Sequence, residues 1–234
     1  TYLDFLIRFV GIPLLVGVLL AWKKSKLSRT QILGIVIMGI IALVYTTPWD
    51  NYLIMRGVWS YPEGVVLGTL GYVPLEEYGF MLLQTLLAGV LWSMQPRVSP
   101  ECRLRFSLPG FLLALAIGIV GVFCLTMERG TYGGLILLWA FPPLALQWGL
   151  GAECLFNSLK TWLVPWGGLT LYLCLADSFA ISEGIWTLTL GTRSGWDLGN
   201  LPVEEALFFA VTNLFVFQGL CLSLIHISEP TRQQ

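Results

Sequence analysis

Acidic, aromatic and glycine residues recur in the same order at two places in this chain. The first copy is D-N-Y-L-I-M-R-G-V-W at 50–59, followed by P-L-E-E at 74–77. The second copy is D-S-F-A-I-S-E-G-I-W at 177–186, followed by P-V-E-E at 202–205. Each residue of the second copy lies 127 or 128 positions after its counterpart. A repeat that keeps its acids and its spacing in an otherwise apolar chain predicts one site with approximate two-fold symmetry.

The paired glutamates have the chemistry for proton transfer to an apolar substrate. Residues four and eight positions apart share one face of a helix. The faces that begin at the four glutamates are Glu76, Phe80, Gln84; Glu204, Phe208, Thr212; Glu77, Met81, Thr85; and Glu205, Phe209, Asn213. Carboxyl groups in membrane helices usually face a bundle interior, where burial favours their neutral, acidic form. We expect Glu76 and Glu204 to line the cavity and transfer protons, and Glu77 and Glu205 to tune them.

Residues near the motif are expected to bind substrate or to stabilise positive charge, because aromatic faces attract cations. These candidates are Asp50, Asp177, Trp49, Tyr52, Trp59, Phe80, Trp186, Phe208, Gln84, Thr85, Thr212 and Asn213. Simpler interpretations stay open. P-x-E-E is also a good helix start, since acids favour the positive end of the helix dipole. Trp and Tyr also commonly form a belt at the membrane interface.

The composition is typical of an integral membrane protein. Hydrophobic residues make up 56% of the 234 residues and charged residues only 12%, far from the balance of soluble globular domains. The net charge of −1 gives no reason to expect nucleic acid as a partner. The scattered cysteines and the single histidine show no pattern of metal ligands. Seven stretches are long enough, or nearly so, to cross a bilayer core of about 30 Å as helices; they lie near 3–22, 31–48, 74–95, 108–126, 131–149, 162–180 and 202–224.

These spans predict an all-α fold of two parallel three-helix repeats joined by a connector helix. The two motif copies are four crossings apart, so both face the same side of the membrane. Basic residues are concentrated in the loops on the opposite side, which the positive-inside rule assigns to the cytoplasm. We therefore expect a cell-membrane protein with its N-terminus outside and its C-terminus inside. The predicted units are 1–107 for the first repeat, 108–126 for the connector, 127–222 for the second repeat and 223–234 for a non-native tail.

The doubled motif, D-x6-G-x-W followed by P-x-E-E in a chain of seven predicted spans, resembles the heptahelical lycopene cyclases of archaea, some bacteria and fungi. The resemblance covers residues 1 to about 222. It implies an acid-catalysed, redox-neutral cyclisation of the linear ends of lycopene, most often to a β-ring. The implied partners are a linear carotenoid and the lipid bilayer. No cofactor is implied, because protonation, ring closure and deprotonation conserve electrons.

Other functions use some of the same features. A carotenoid hydratase would use the same acid but admit water, and a cyclase of longer carotenoids would differ only in its substrate. A proton-coupled transporter would need no carotenoid. A retinal photoreceptor needs a membrane lysine, and the last predicted span contains none. A flavin-dependent cyclase needs G-x-G-x-x-G after a strand, which the sequence lacks.

Overall fold

A computed structural model describes residues 1–24, 27–95 and 103–227 of the chain. Long helices dominate these residues, and each predicted span corresponds to one of them. The helices are α1 Tyr2–Lys23, α2 Arg29–Met55, α3 Leu75–Ser93, α4 Leu108–Leu125, α5 Thr131–Asn157, α6 Leu159–Ser182 and α7 Val203–Ile227. The basic residues Lys26 and Arg97, and residues 228–234 of the expected tail, lie outside the described residues.

Six of these helices are long and apolar enough to cross a membrane. Helix α3 is the exception, because Glu76, Glu77 and Gln84 lower its hydropathy. The prediction of a helical membrane protein is confirmed, while the count of seven crossings stays a prediction. Helix α2 runs through Pro48 to Met55, beyond the predicted end at residue 48. Asp50 consequently lies within a helix, since one missing proline N–H does not end a helix that packs well on both sides of it.

Prolines inside two helices expose backbone carbonyls that tyrosines of other helices satisfy. The Tyr45 hydroxyl donates to the carbonyl of Trp139 at 2.7 Å, four residues before Pro143. The Tyr172 hydroxyl donates to the carbonyl of Phe9 at 2.9 Å, also four residues before a proline. A proline cannot donate the helical hydrogen bond to these carbonyls. The two bonds join α2 to α5 and α6 to α1, so they connect the two halves of the chain.

Short strands follow α2 and α6 at the acidic end of the bundle. They are β1 Trp59–Ser60, β2 Thr69–Leu70, β3 Val73–Pro74, β4 Thr187–Leu188, β5 Asp197–Leu198 and β6 Leu201–Pro202. Strands β2 and β3 form a hairpin, as do β5 and β6, and their turns use Gly71 and Gly199 at φ 68°, as two-residue hairpin turns require. Strand β1 pairs antiparallel with β4. Because this pair joins the loops of both motif copies, the copies lie at the same end of the bundle.

Helices α3 and α7 lie side by side and begin directly after the two hairpins. The Gln84 side-chain amide donates to Thr212 at 3.2 Å and to Asn213 at 3.0 Å. Deeper in the bundle, the Trp92 indole donates to the Cys221 sulfur at 3.2 Å. Polar contacts of this kind stabilise helix pairs in membranes, where the alternative is an unsatisfied group. They fix α3 against α7 and so fix the faces that the glutamates present.

Candidate active site

Four carboxyl groups converge on a small cavity at the acidic end of the bundle. They belong to Asp50 of α2, Glu77 of α3, Asp177 of α6 and Glu205 of α7. The aromatic residues that surround them are Tyr2, Trp59, Tyr61, Phe80, Tyr132, Trp186, Phe208 and Phe209. Each carboxyl group comes from a different helix, so helix packing rather than local sequence brings them together. We call this set of four carboxyl groups the acid cluster.

Glu77 is held by two phenol groups. Its Oε2 atom accepts hydrogen bonds from the hydroxyl of Tyr2 at 2.5 Å and from that of Tyr61 at 2.9 Å. Burial, reinforced by the negative charge of Glu77, raises the pKa of the loop residue Tyr61 well above its usual range. Tyr61 therefore stays protonated and acts as a donor.

Glu205 is held by a single phenol group. Its Oε1 atom accepts a hydrogen bond from the hydroxyl of Tyr132 at 2.8 Å. Tyr132 lies in the first turn of α5, as Tyr2 lies in the first turn of α1. The two glutamates thus have one equivalent phenol donor each, and Glu77 has a second.

The two aspartates are almost fully withdrawn from solvent. Asp50 and Asp177 are each 2% exposed. One carboxyl oxygen of each, Oδ2, is buried without a hydrogen-bond partner among the described residues. A buried polar atom without a partner costs about 1–3 kcal/mol, so these oxygens are candidates for contact with a bound substrate or for holding a proton.

The other glutamate of each pair, Glu76 or Glu204, accepts a hydrogen bond from a loop and is not among the residues that line the cavity. The Oε1 atom of Glu76 accepts a hydrogen bond from the backbone N–H of Leu67 at 2.8 Å. Glu204 makes the equivalent bond to the backbone N–H of Ser194 at 2.6 Å. These bonds tie the loop before each hairpin to the start of the helix that follows it.

This placement differs from the expectation that Glu76 and Glu204 line the cavity. Consecutive residues of a helix point about 100° apart, so the two glutamates of a pair meet different partners, although Glu76 and Glu204 are themselves buried. Glu76 and Glu204 turn towards the loop N–H groups, and Glu77 and Glu205 face the acid cluster. The proximity of two acids in sequence did not reveal which one the loops would bind.

Substitutions at Glu76 and Glu204 test this assignment. Glutamine keeps the accepting oxygen, so Glu76→Gln and Glu204→Gln should retain most of the activity. Alanine removes the acceptor and leaves a loop N–H without its partner, so Glu76→Ala and Glu204→Ala should lower stability by about 1–3 kcal/mol. Melting temperatures in detergent, measured beside activity, check both expectations. A complete loss of activity in both glutamine variants, with unchanged melting temperatures, would instead favour a direct role in proton transfer.

A second, larger cavity of about 580 Å³ leads away from the acid cluster. It lies between α2, α3, α5 and α7, and we call it the groove. Asp50, Glu77, Phe80 and Phe208 line both the groove and the acid cluster, so the two spaces meet there. On α7 the groove extends from Phe208 to Ser223, which corresponds to about 22 Å at 1.5 Å per residue. Its length and predominantly apolar lining suit an extended hydrocarbon chain.

Two of the α2 side chains that line the groove are small. Ala42 and Thr46 are among its lining residues. The positions 127 residues later are Leu169 and Leu173 of α6, which are 3% and 1% exposed and belong to the main hydrophobic core. At these two positions the second half of the chain has larger, buried side chains.

Stacked aromatic rings stand where the groove meets the acid cluster. The ring of Phe208 lies 5.6 Å from that of Trp49 at an interplanar angle of 8°. Trp49 in turn stacks on Trp139 at 4.9 Å, and its indole N–H donates to the carbonyl of Leu135 at 3.3 Å. These contacts hold the face of Phe208 in a fixed position beside the carboxyl groups.

The remaining predicted site residues divide into three groups. Gln84, Thr85 and Thr212 line the groove. Asn213 is 0% exposed and donates to Thr170 at 3.1 Å, which is a structural position between helices. Tyr52 is 40% exposed and carries the Arg56 guanidinium over its ring at 5.8 Å. It points away from the cavity, because it lies two residues after Asp50 on a helix.

Sequence reasoning missed Tyr2, Tyr61, Tyr132, Trp139 and Phe209 as site residues. Tyr2 and Tyr132 lie 130 positions apart, the same spacing as Pro13 and Pro143 in the same two helices. Applying that spacing to the first turn of each helix would have paired the two tyrosines. Trp139 carries no such signal, because Phe9 stands at the matching position.

Comparison with known proteins places these features in a family. The lycopene beta-cyclases of two Halobacterium salinarum strains are 42% identical to this chain over 231 residues, which is 95% of each sequence. The chain belongs to the lycopene cyclase family. No family model matches the chain, and no solved structure matches it. The resemblance carried by the doubled motif is thereby confirmed.

Fungal members of the lycopene cyclase family are longer proteins. The bifunctional lycopene cyclase/phytoene synthases of Gibberella fujikuroi and Leptosphaeria maculans are 34% and 37% identical to this chain. The matches cover 87% and 84% of this chain but 37% of each fungal protein. The similarity therefore concerns one part of the fungal proteins.

Proposed function

We propose that this chain is a lycopene cyclase that closes the linear ends of lycopene into rings, most readily β-rings. The observation that carries the proposal is the junction of the groove with the acid cluster. The groove has the length and apolar lining to accept a polyene, and the cluster supplies carboxyl groups where the end of that polyene would lie. The 42% identity to lycopene beta-cyclases over nearly the whole chain supports the same substrate.

The proposed reaction needs one acid, one base and no change of oxidation state. A neutral carboxyl group protonates the terminal double bond of the substrate, and a tertiary carbocation forms. The next double bond attacks this cation, which closes a six-membered ring and moves the positive charge onto a ring carbon. A carboxylate then removes a ring proton. The product is an isomer of the substrate, so no flavin, nicotinamide or metal ion is required.

The surroundings of the acid cluster suit a carbocation. Aromatic faces stabilise positive charge, and Phe80, Phe208 and Trp59 line the cavity. A dry cavity also prevents water from trapping the cation as an alcohol. The same features that protect a cyclase intermediate would have to be relaxed in a hydratase.

Contacts between equivalent residues support the proposed fold of two parallel repeats, 1–107 and 127–222, joined by the connector helix 108–126. The hydroxyls of Ser60 and Thr187, 127 residues apart, lie 3.1 Å from each other. Gln84 and Thr212, 128 residues apart, are hydrogen-bonded. Residues beside a two-fold axis contact their own counterparts, as these do. Together with the positive-inside rule, this arrangement supports the proposal that the acid cluster lies near the outer face of the membrane and the C-terminus in the cytoplasm.

Production of the protein in a lycopene-accumulating host tests the function. Chromatography of the pigments should show monocyclic and bicyclic carotenoids with β-rings. Purified protein in liposomes, treated with chelator and freed of flavin, should convert lycopene at an undiminished rate. Hydroxylated products would identify a hydratase, and a strict need for reduced flavin or magnesium would contradict the proposed mechanism.

A further inference from the structure

The groove meets only one half of the acid cluster. Asp50 and Glu77 line both the groove and the cluster, whereas Asp177 and Glu205 line the cluster alone. A polyene in the groove therefore passes Glu77 first, and only the tip of its end group reaches towards Glu205. The two glutamates, equivalent by motif, differ in the part of the substrate that they would face.

The two glutamates also differ in the number of phenol groups that donate to them. Tyr61 donates to Glu77 in addition to Tyr2. The position 127 residues after Tyr61 is Leu188, which has no hydroxyl, and among the described residues only the phenol of Tyr132 donates to Glu205. Hydrogen bonds donated to a carboxyl group stabilise its charged form. Glu77 thus has more support as a carboxylate than Glu205 has.

The reaction adds a proton at one carbon of the substrate and removes a proton from another, so the acid and the base must lie at different places. The proton is added to the double bond at the tip of the chain. The proton is lost, in β-ring formation, from the ring carbon that carries the polyene. With the polyene in the groove, the tip would lie deepest in the acid cluster, and the polyene-bearing carbon would lie where the groove meets the cluster, beside Glu77.

We infer that Glu205 is the acid that protonates the substrate and that Glu77 is the base that completes the ring, with Tyr61 holding Glu77 as a carboxylate. This division of roles rests on the proposed function. In each cycle the O–H bond of Glu205 breaks as a C–H bond forms at the tip of the substrate. The C–H bond of the ring carbon then breaks, its electron pair forms the ring double bond, and the proton passes to Glu77.

The enzyme returns to its starting state by an internal proton transfer. After ring formation Glu77 is neutral and Glu205 is charged. The proton returns from Glu77 to Glu205 within the acid cluster, where the Oδ2 atoms of Asp50 and Asp177, which have no hydrogen-bond partner among the described residues, can carry it. No proton is gained or lost over the cycle, as an isomerisation requires.

The two glutamine variants should differ in kind and not only in rate. Glu205→Gln removes the acid, so no cation forms and no cyclic or hydroxylated product should appear. Glu77→Gln leaves the acid intact, so the cation still forms but loses its proton elsewhere. Its residual products should shift from β-rings to ε-rings, γ-rings or an alcohol. Pigment chromatography of the purified variants in liposomes measures both outcomes, and unchanged elution in detergent confirms that the proteins are folded.

Three further variants sharpen the test. Glu205→Asp keeps a carboxylic acid and should restore part of the β-ring formation. Tyr61→Phe should show a milder form of the Glu77→Gln product shift, with its activity moved to higher pH because a carboxylate with fewer donors takes up protons more readily. Tyr132→Phe removes the donor to Glu205 and should leave the ring type unchanged.

The outcomes separate this inference from the function on which it rests. If the wild-type protein does not cyclise lycopene, the proposed function fails. If the wild type forms β-rings but Glu77→Gln is the variant without products and Glu205→Gln forms altered rings, the roles are reversed and the inference is overturned. Equal and complete loss of all products in both glutamine variants would also overturn it.

Discussion

Ala42→Phe is expected to reduce ring formation by roughly 100-fold or more, since misplacing a substrate by about 1 Å can already cost that much. Ala42 lines the groove, and a phenyl ring there would occupy the space that the polyene needs. The end group could then no longer reach the acid cluster in its productive position. Initial rates of lycopene conversion in liposomes, at equal amounts of folded protein, measure the effect.

A control for Ala42→Phe is available on the same helix. Val44 is 67% exposed on the outer surface of the bundle, where a larger apolar side chain meets only lipid. Val44→Phe should therefore have nearly wild-type activity. If both variants were equally active, the groove would not be the binding site of the polyene.

Phe208→Leu is expected to slow cyclisation by about 30-fold, which corresponds to the roughly 2 kcal/mol of a cation–π contact away from water. Leucine keeps most of the apolar volume but removes the aromatic face that Trp49 holds beside the acid cluster. Rates for Phe208→Leu and Phe208→Tyr, measured side by side, check this expectation. Tyrosine keeps the ring and should retain most of the activity.

The products of Phe208→Leu carry additional information. In this variant the cation is less stabilised, and the smaller leucine side chain covers less of the cavity wall. Water should therefore enter and capture a fraction of the cation. Alcohols should then appear in the leucine variant and not in the tyrosine variant. An equal loss of rate in both variants would indicate that Phe208 acts through shape and not through its ring.

Much of the fold could be predicted from the sequence, because the doubled motif and the apolar stretches are local signals. The helices begin directly after Pro74 and Pro202, and the two acidic loops lie at one end of the bundle, as expected. The end of α2 was less predictable. Pro48 is a common sign of a helix end, yet the helix continues to Met55 because its packing compensates for one lost hydrogen bond.

The site could be predicted to the level of the motif but not to the level of the side chain. The choice between Glu76 and Glu77 depends on how far α3 is rotated; in the structure Glu76 accepts from the backbone N–H of Leu67, and Glu77 faces the acid cluster. The contact of Tyr2 with Glu77 spans 75 residues. No local pattern records such a contact, since it arises only when α1 packs against α3.

The junction of the groove with the acid cluster has a kinetic consequence. A carotenoid that lies along the groove presents one of its two linear ends to the acid cluster in each encounter. On the proposed function the enzyme is therefore distributive: the half-cyclised carotenoid must leave, turn round in the bilayer and bind again before its second end reacts. The ratio of monocyclic to bicyclic pigment is then set by how much carotenoid competes for each enzyme molecule, and not by the chemistry of ring closure.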